Sequence, residues 1–284
     1  DYEFLIEETE YTPYYDLLEL LDRKYHIIAS NESNRFAPDM NTYRETLAAS
    51  GQGGSRFFIK SNPCNPTGAT WKGQPLKELV EFILDNEHGG LIDEAYEFFN
   101  ETGPESALQY VSNIDDTNLF VSGAATKGLQ VPGMRVGWLI ASKQNIEIFR
   151  NYSSIGMGGV SRPAQLYVAN LLNIPRVTHA REAVVNYFND QRDFYRTALE
   201  DLGIELFTGT GGFYHWGKLP GTLNADEFNL KLFEHDAAIL PGRLCDMYRR
   251  GEDGPSNRFI RFSFGPLSMD SREDDVRILR ECLT

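Results

Sequence analysis

Four short segments of this 284-residue chain carry groups able to do chemistry: SNPCNPTG at 61–68, LIDEAYEFF at 91–99, SGAATKGLQVPGMRVGW at 122–138 and IRFSFG at 260–265. Together they offer a lysine amine (Lys127) followed eight residues later by Arg135, an aspartate and a tyrosine three apart (Asp93, Tyr96), an asparagine framed by prolines (Asn65), and a second arginine in an alternating run (Arg261). An amine can serve as nucleophile and proton carrier, a carboxylate can hold a cationic partner, and a guanidinium fork grips carboxylate or phosphate oxygens. Each segment alone also has a plain structural reading. Asn-Pro and Thr-Gly are ordinary loop punctuation, Asp93 could N-cap a helix, a lone lysine is usually solvated, and Arg261 could be a surface strand residue or an ion-pair partner.

The elements that must position these segments alternate between short apolar runs and longer helical patterns. Residues 4–6, 25–29, 56–60, 90–93, 118–122 and 136–141 read as strands, with amphipathic stretches at 76–86 and 144–151 between some of them. That alternation predicts an α/β fold with a largely parallel sheet. After about Asn173 the texture changes. Pro175 follows a helix end, a helical pattern runs from about His179 to Leu202, and strand-like runs at 204–207, 213–216, 238–240 and 259–264 precede a last helix at 271–282. These place a large domain at 1–174 and a smaller α+β domain at 175–284.

Composition narrows the classes of function. The hydrophobic content of 41%, with aromatics at 12%, suffices for a packed core. A net charge of −14 argues against a nucleic-acid-binding surface, which needs clustered Lys and Arg to displace phosphate counterions. The cysteines Cys64, Cys245 and Cys282 are scattered, with no spacing that suits a metal or a disulfide framework. No apolar run approaches the roughly 20 residues needed to span a bilayer, and the first residues lack the pattern of a signal peptide. A cytoplasmic protein without a metal is the expectation.

The order of the four segments, at these spacings, resembles the class I/II aminotransferases of pyridoxal phosphate fold type I. The resemblance runs over essentially the whole chain, including GGFYHWGKLPG at 211–221 and AILPGRLC at 238–245. It implies a large domain with a mostly parallel sheet of the seven-stranded type, a smaller C-terminal domain, a homodimer, and pyridoxal 5′-phosphate as cofactor, with an amino acid and a 2-oxo acid as substrates. Carried over residue by residue, it makes Lys127 the Schiff-base lysine and proton shuttle and Asp93 the partner of the pyridine nitrogen. Tyr96 and Asn65 then bond the ring's phenolic oxygen, Arg135 binds the phosphate, and Arg261, with Asn65 beside it, grips the substrate's α-carboxylate. Tyr11 is the candidate for stacking on the ring face, with Tyr14 competing because Thr9 stands where the family has a proline.

The chain departs from the family pattern in two places. Ala124 occupies the position of a phosphate-binding serine three residues before the lysine, so Thr126 or Ser122 is expected to substitute. Members of the family also carry about a hundred residues before the point corresponding to Asp1, including a Gly-rich phosphate loop, so the large domain is expected to be incomplete at its N-terminus. The leading expectation is an aminotransferase of amino acid metabolism or biosynthesis. A lyase, a cyclase or synthase, or an amino-acid oxidase of the same fold is the first alternative, and a non-catalytic aminotransferase-like module the second. His215 reads as a packed aromatic neighbour and Cys64 as inert.

Overall fold

The apolar runs become the strands of two sheets in the computed structural model of the chain, which describes residues 2–51 and 54–284. In chain order the elements are β1 (Glu3–Glu7), α1 (Thr12–Leu20), β2 (Tyr25–Ile28), α2 (Met40–Ala49), β3 (Arg56–Ser61), α3 (Gln74–Asp85), β4 (Gly89–Asp93), β5 (Asn118–Ala124), α4 (Ala125–Gly128), β6 (Gly137–Ile140), α5 (Lys143–Gly156) and α6 (Arg162–Leu171). There follow α7 (Ile174–Asp201), β7 (Glu205–Leu206), β8 (Tyr214–Lys218), α8 (Ala225–Phe233), β9 (Leu240–Pro241), β10 (Phe259–Ser263) and α9 (Arg272–Leu283).

The first sheet runs β2-β1-β3-β4-β5-β6, with β6 antiparallel to β5 and all other pairs parallel. Among the described residues it has six strands, not the seven the resemblance implies. The second is a four-stranded sheet, β7-β8-β10-β9, in which every pair is antiparallel. The expected α/β architecture with an α+β second part is therefore what the chain adopts.

Local chemistry explains where the helices start. The side chains of Asp39, Ser142, Ser161, Asn173 and Asn224 each accept from a backbone N–H in the first turn of α2, α5, α6, α7 and α8. Pro175 does follow the end of α6, but it also sits in the first turn of α7, where its missing N–H has no cost. The long helix therefore begins at Ile174 and not near residue 179. In α3, Leu76, Leu79, Val80 and Ile83 recur on one face and are buried with Leu5, Phe58, Ile92 and Val121 against the large sheet. A second core joins Tyr195 and Leu199 of α7 to Ile260 and Phe262 of β10, and it draws in Phe98 and Phe99 from the stretch after β4.

Parallel strands bring their C-terminal ends to one edge, the place where open α/β sheets bind ligands. Here that edge collects Glu10 and Tyr11 after β1, Asn62–Asn65 after β3, Asp93 at the end of β4, and Lys127 just beyond β5. The Asn-Pro-Thr-Gly turn is pressed onto the second part of the chain. Gly68 lies at φ +73°, and a Cβ there would stand 2.6 Å from the carbonyl oxygen of Gly211, so only glycine allows the two backbones to meet. No helix among the described residues is long and apolar enough to cross a membrane.

Candidate active site

Lys127 is the third residue of the short helix α4, which turns the chain back after β5. Its ammonium lies 5.7 Å from the ring centre of Tyr96 and 5.2 Å from that of Phe213. Partial burial, then the neighbouring charges of Arg261 and Arg135, hold its pKa below the usual lysine range. An amine that gives up its proton more readily is a better nucleophile and base near neutral pH. Lys127, Thr126, Tyr96 and Arg261 all line one cavity of about 860 Å³.

Arg261 comes from the centre of β10, opposite Trp216 of β8. One terminal nitrogen, Nη1, donates to Oδ1 of Asn65 at 2.8 Å, and the guanidinium carbon lies 5.6 Å from the Tyr214 ring centre. Its Nε is buried and has no partner. A guanidinium binds a carboxylate side-on through Nε and a terminal nitrogen, so Asn65 holds one end while the Nε side is left without a partner. Asn65 and Arg261 are thus joined by a direct bond.

Asp93 ends β4 and is fixed from three directions. Its Oδ1 accepts from the backbone N–H of Ala95 at 3.0 Å and from the Ser122 hydroxyl at 3.1 Å, and the Tyr14 hydroxyl donates to Oδ2. A carboxylate offers about four acceptor positions, so one remains for a protonated ring nitrogen. That spare position on an anchored, half-buried carboxylate is the chemistry a pyridinium requires. Burial, together with the Asp93 carboxylate, drives the Tyr14 hydroxyl far above the usual phenol range, so it stays a donor.

The remaining candidates divide. Tyr96 has its pKa pushed up to about 12 by burial, against the opposing pull of Arg261, and it also feels Tyr11 and Asp93, which places all four in one neighbourhood. Tyr11 is 42% exposed with its ring edge-on to Tyr14, and Tyr14 is tied to Asp93 through its hydroxyl. Ser122, considered for a phosphate, has its hydroxyl given to Asp93 instead, because alternation along β5 turns it toward the end of β4. Ala124 leaves the start of α4 without a side-chain cap. Arg135 is a partial departure. It lies exposed in a left-handed backbone conformation, donates to the Pro132 carbonyl at 3.0 Å, and lines an adjoining cavity with Met157 and Tyr167, not the one that holds Lys127.

His215 is buried with one nitrogen 3.0 Å from the Arg192 carbonyl and the other 3.2 Å from the Thr208 hydroxyl; burial lowers its pKa to about 3, which leaves it a neutral packing residue. Cys64 is buried and burial raises its thiol well above the usual range. Sequence reasoning missed Tyr14 as the partner of Asp93, and it missed Lys60, Glu7 and Tyr43, a fully buried group in which the Lys60 ammonium and the Tyr43 hydroxyl both bond the Glu7 carboxylate. Glu7, Glu10 and Cys64 offer atoms within 4.8 Å of one another, but Lys60 already supplies the cation that Glu7 needs.

Comparison with known proteins gives a consistent picture. The profile of the family described as aminotransferase class I and II matches residues 1–273. The chain is 25% identical over 245 residues to a probable aspartate/prephenate aminotransferase of Aquifex aeolicus, covering 81% of this chain and 57% of that protein. It is 28% identical over 244 residues to 1-aminocyclopropane-1-carboxylate synthase 7 of Arabidopsis thaliana, covering 80% and 52%. The chain therefore spans little more than half the length of these relatives. Among solved structures, the α-aminoadipate aminotransferase LysN of Thermus thermophilus, complexed with N-(5′-phosphopyridoxyl)-L-leucine, superposes with a TM-score of 0.85 at 19% identity over 99% of this chain and 71% of its own.

Proposed function

The chain belongs to the aminotransferase class I and II family, and from that premise we propose that it binds pyridoxal 5′-phosphate at Lys127 and moves an α-amino group between an amino acid and a 2-oxo acid. The observation that carries this reading is the facing of Lys127 and Arg261 across one cavity, with the Nε edge of Arg261 left without a partner. When bound, the cofactor supplies an electron sink for the substrate's Cα. The rest falls to this chain's own residues.

Arg261 takes the α-carboxylate through its open edge and so orients the Cα–H bond. The Lys127 amine, whose hold on its proton is loosened by burial and by two guanidiniums, receives the Cα proton and returns it on the far side of the reaction. Asp93 accepts from the ring nitrogen with its spare position, and Tyr14 and Ser122 keep it from rotating. Asn65 keeps its amide N–H₂ free to donate, since its oxygen is taken by Arg261; it and the Tyr96 hydroxyl serve the ring oxygen. Tyr11 covers the ring face, and Thr126 and Arg135 serve the phosphate.

The division into residues 1–174 and 175–284 belongs to the same reading, supported by two sheets that lie wholly on either side of α7's start. Assembly as a homodimer is supported by an apolar face on α5, α6 and the start of α7, where Ile155 and Ile174 are more than four-fifths exposed. A cytoplasmic location completes the proposal.

A half-reaction tests it. Amino acid added to the cofactor-loaded protein should bleach the visible absorption of the aldehyde form, and a 2-oxo acid should restore it. Release of ammonia without that recovery would favour elimination or oxidation by an enzyme of the same fold, and no spectral change with any amino acid would favour a non-catalytic module.

A further inference from the structure

Arg192 lies within α7, and its side chain is fully buried. Its guanidinium fork reaches three backbone carbonyls. Nη1 donates to Gly211 at 3.3 Å, and Nη2 donates to Phe99 at 3.1 Å and to Gly212 at 2.5 Å. The Glu101 carboxylate stands 3.6 Å from Nε as the counter-charge. Phe99 ends the segment that carries Asp93 and Tyr96, and Gly211 and Gly212 lead into Phe213 and Tyr214. One side chain therefore ties together two site-bearing segments, one before α7 and one after it. The tie is returned by His215, whose imidazole lies 3.0 Å from the Arg192 carbonyl oxygen.

The backbone held in this way carries Tyr214, itself fully buried. Its ring lies 5.6 Å from the Arg261 guanidinium carbon, and its hydroxyl donates to the Cys64 carbonyl at 3.2 Å. Cys64 is followed by Asn65, whose Oδ1 accepts from Nη1 of Arg261. Arg261 is thus held by a ring and by an amide, and the Tyr214 hydroxyl joins the two holders.

We propose that Arg192 is a positioning residue for carboxylate binding at Arg261, acting through the Gly211–Gly212 backbone and Tyr214. The inference rests on the reading of Arg261 as the carboxylate anchor and adds the residue that aims it. Burying a long cationic side chain gives up hydration and rotamer freedom, which an apolar residue at the same place would keep or never need. An apolar residue would not supply direction. A planar fork fixes several carbonyls at set angles, and a lysine on its flexible stem does so less well. Direction matters at this site, because misplacing a substrate-orienting group by about 1 Å costs about a hundredfold in rate. If Arg192 served only to fill space between the two segments, its loss would weaken every ligand of the site alike.

The test measures, by titration calorimetry on the pyridoxal phosphate-loaded protein, the preference for a carboxylate over its primary amide. The probes are butanoate with butanamide and 3-phenylpropanoate with 3-phenylpropanamide, and the pair whose carboxylate binds the native chain more tightly is carried through the variants. The native chain should prefer the carboxylate by about tenfold to a hundredfold, the effect of charge-assisted hydrogen bonds. Arg192→Lys should shrink that preference about tenfold, and Tyr214→Phe, which removes the hydroxyl link to Cys64, should shrink it about threefold. Tyr195→Phe is the control: it unties the same helix from Asp275, three residues further on, and should lower stability with the preference unchanged. Equal weakening of carboxylate and amide in Arg192→Lys would assign the arginine to packing and overturn the inference. Should Arg192→Lys not fold, Tyr214→Phe decides alone, and an unchanged preference there overturns the inference. A native chain with no preference for the carboxylate would overturn the reading of Arg261 itself.

Discussion

Two lysines, one in β3 and one in the short helix after β5, show how neighbours decide what an amine can do. Lys60, near the end of β3, is fully buried, and burial works against its charge. The Glu7 carboxylate, which the ammonium hydrogen-bonds, more than compensates, and its pKa is raised. Lys127 is only partly buried, yet its pKa is lowered, first by that burial and then by Arg261 and Arg135, which share its sign and leave it no compensating carboxylate. One amine is locked as a cation in a structural pair; the other is readied for proton and bond exchange at the mouth of a cavity. Burial alone would have ranked them the other way round, so the sign of the nearby charge outweighs depth.

The largest expected effect that could break this contrast is at Lys60. Lys60→Met strips Glu7 of its counter-charge in a fully buried site and should cost about 3–5 kcal/mol of stability by denaturant unfolding, while the double variant Glu7→Leu/Lys60→Met should recover most of it. Lys127→Met in the same assay should change stability by no more than about 1 kcal/mol, since it removes a cation from among like charges. Equal losses for the two single variants would erase the distinction between a structural and a chemical lysine.

A smaller effect sharpens the picture of the Lys60 side. Glu10, fully buried, has its pKa raised to about 7 by burial and then by the Glu7 charge. The folded state therefore holds a proton that the unfolded chain releases near 4.5. The contribution of Glu10 to stability is complete below that value and is lost as the pH rises through about 7. Stability measured from pH 5 to pH 8 should fall by about 2–3 kcal/mol more in the native chain than in Glu10→Gln, apart from an offset that does not vary with pH. Parallel profiles would show that Glu10 is ionised throughout, with Lys60 balancing both glutamates.

The difference between the two lysines also marks what the sequence makes legible. Lys127 could be found because the groups it works with come in ordered local motifs, and the strand that leads to Asn65 and those that carry Asp93 and Arg261 fall within a residue or two of where alternation puts them. Lys60 could not be found, because its partner Glu7 is 53 residues away and a strand pattern says nothing about which strand lies alongside. Tyr11 and Tyr14 were inseparable for the same reason: the choice depends on Asp93, 79 residues further on. Arg135 was placed by spacing alone, and its left-handed backbone turns it out to an adjoining cavity. Helices α1, α2 and α8 were not anticipated, and of α6 only the end was. Each has only nine or ten residues, too few turns for an apolar stripe to stand out.

The most direct test of the account is to load the protein with pyridoxal 5′-phosphate, reduce it with borohydride and map the modified peptide by mass spectrometry. The account predicts the adduct on the peptide that contains Lys127, with Lys60 unmodified. An adduct on Lys60 or on a surface lysine, with Lys127 left free, would contradict it.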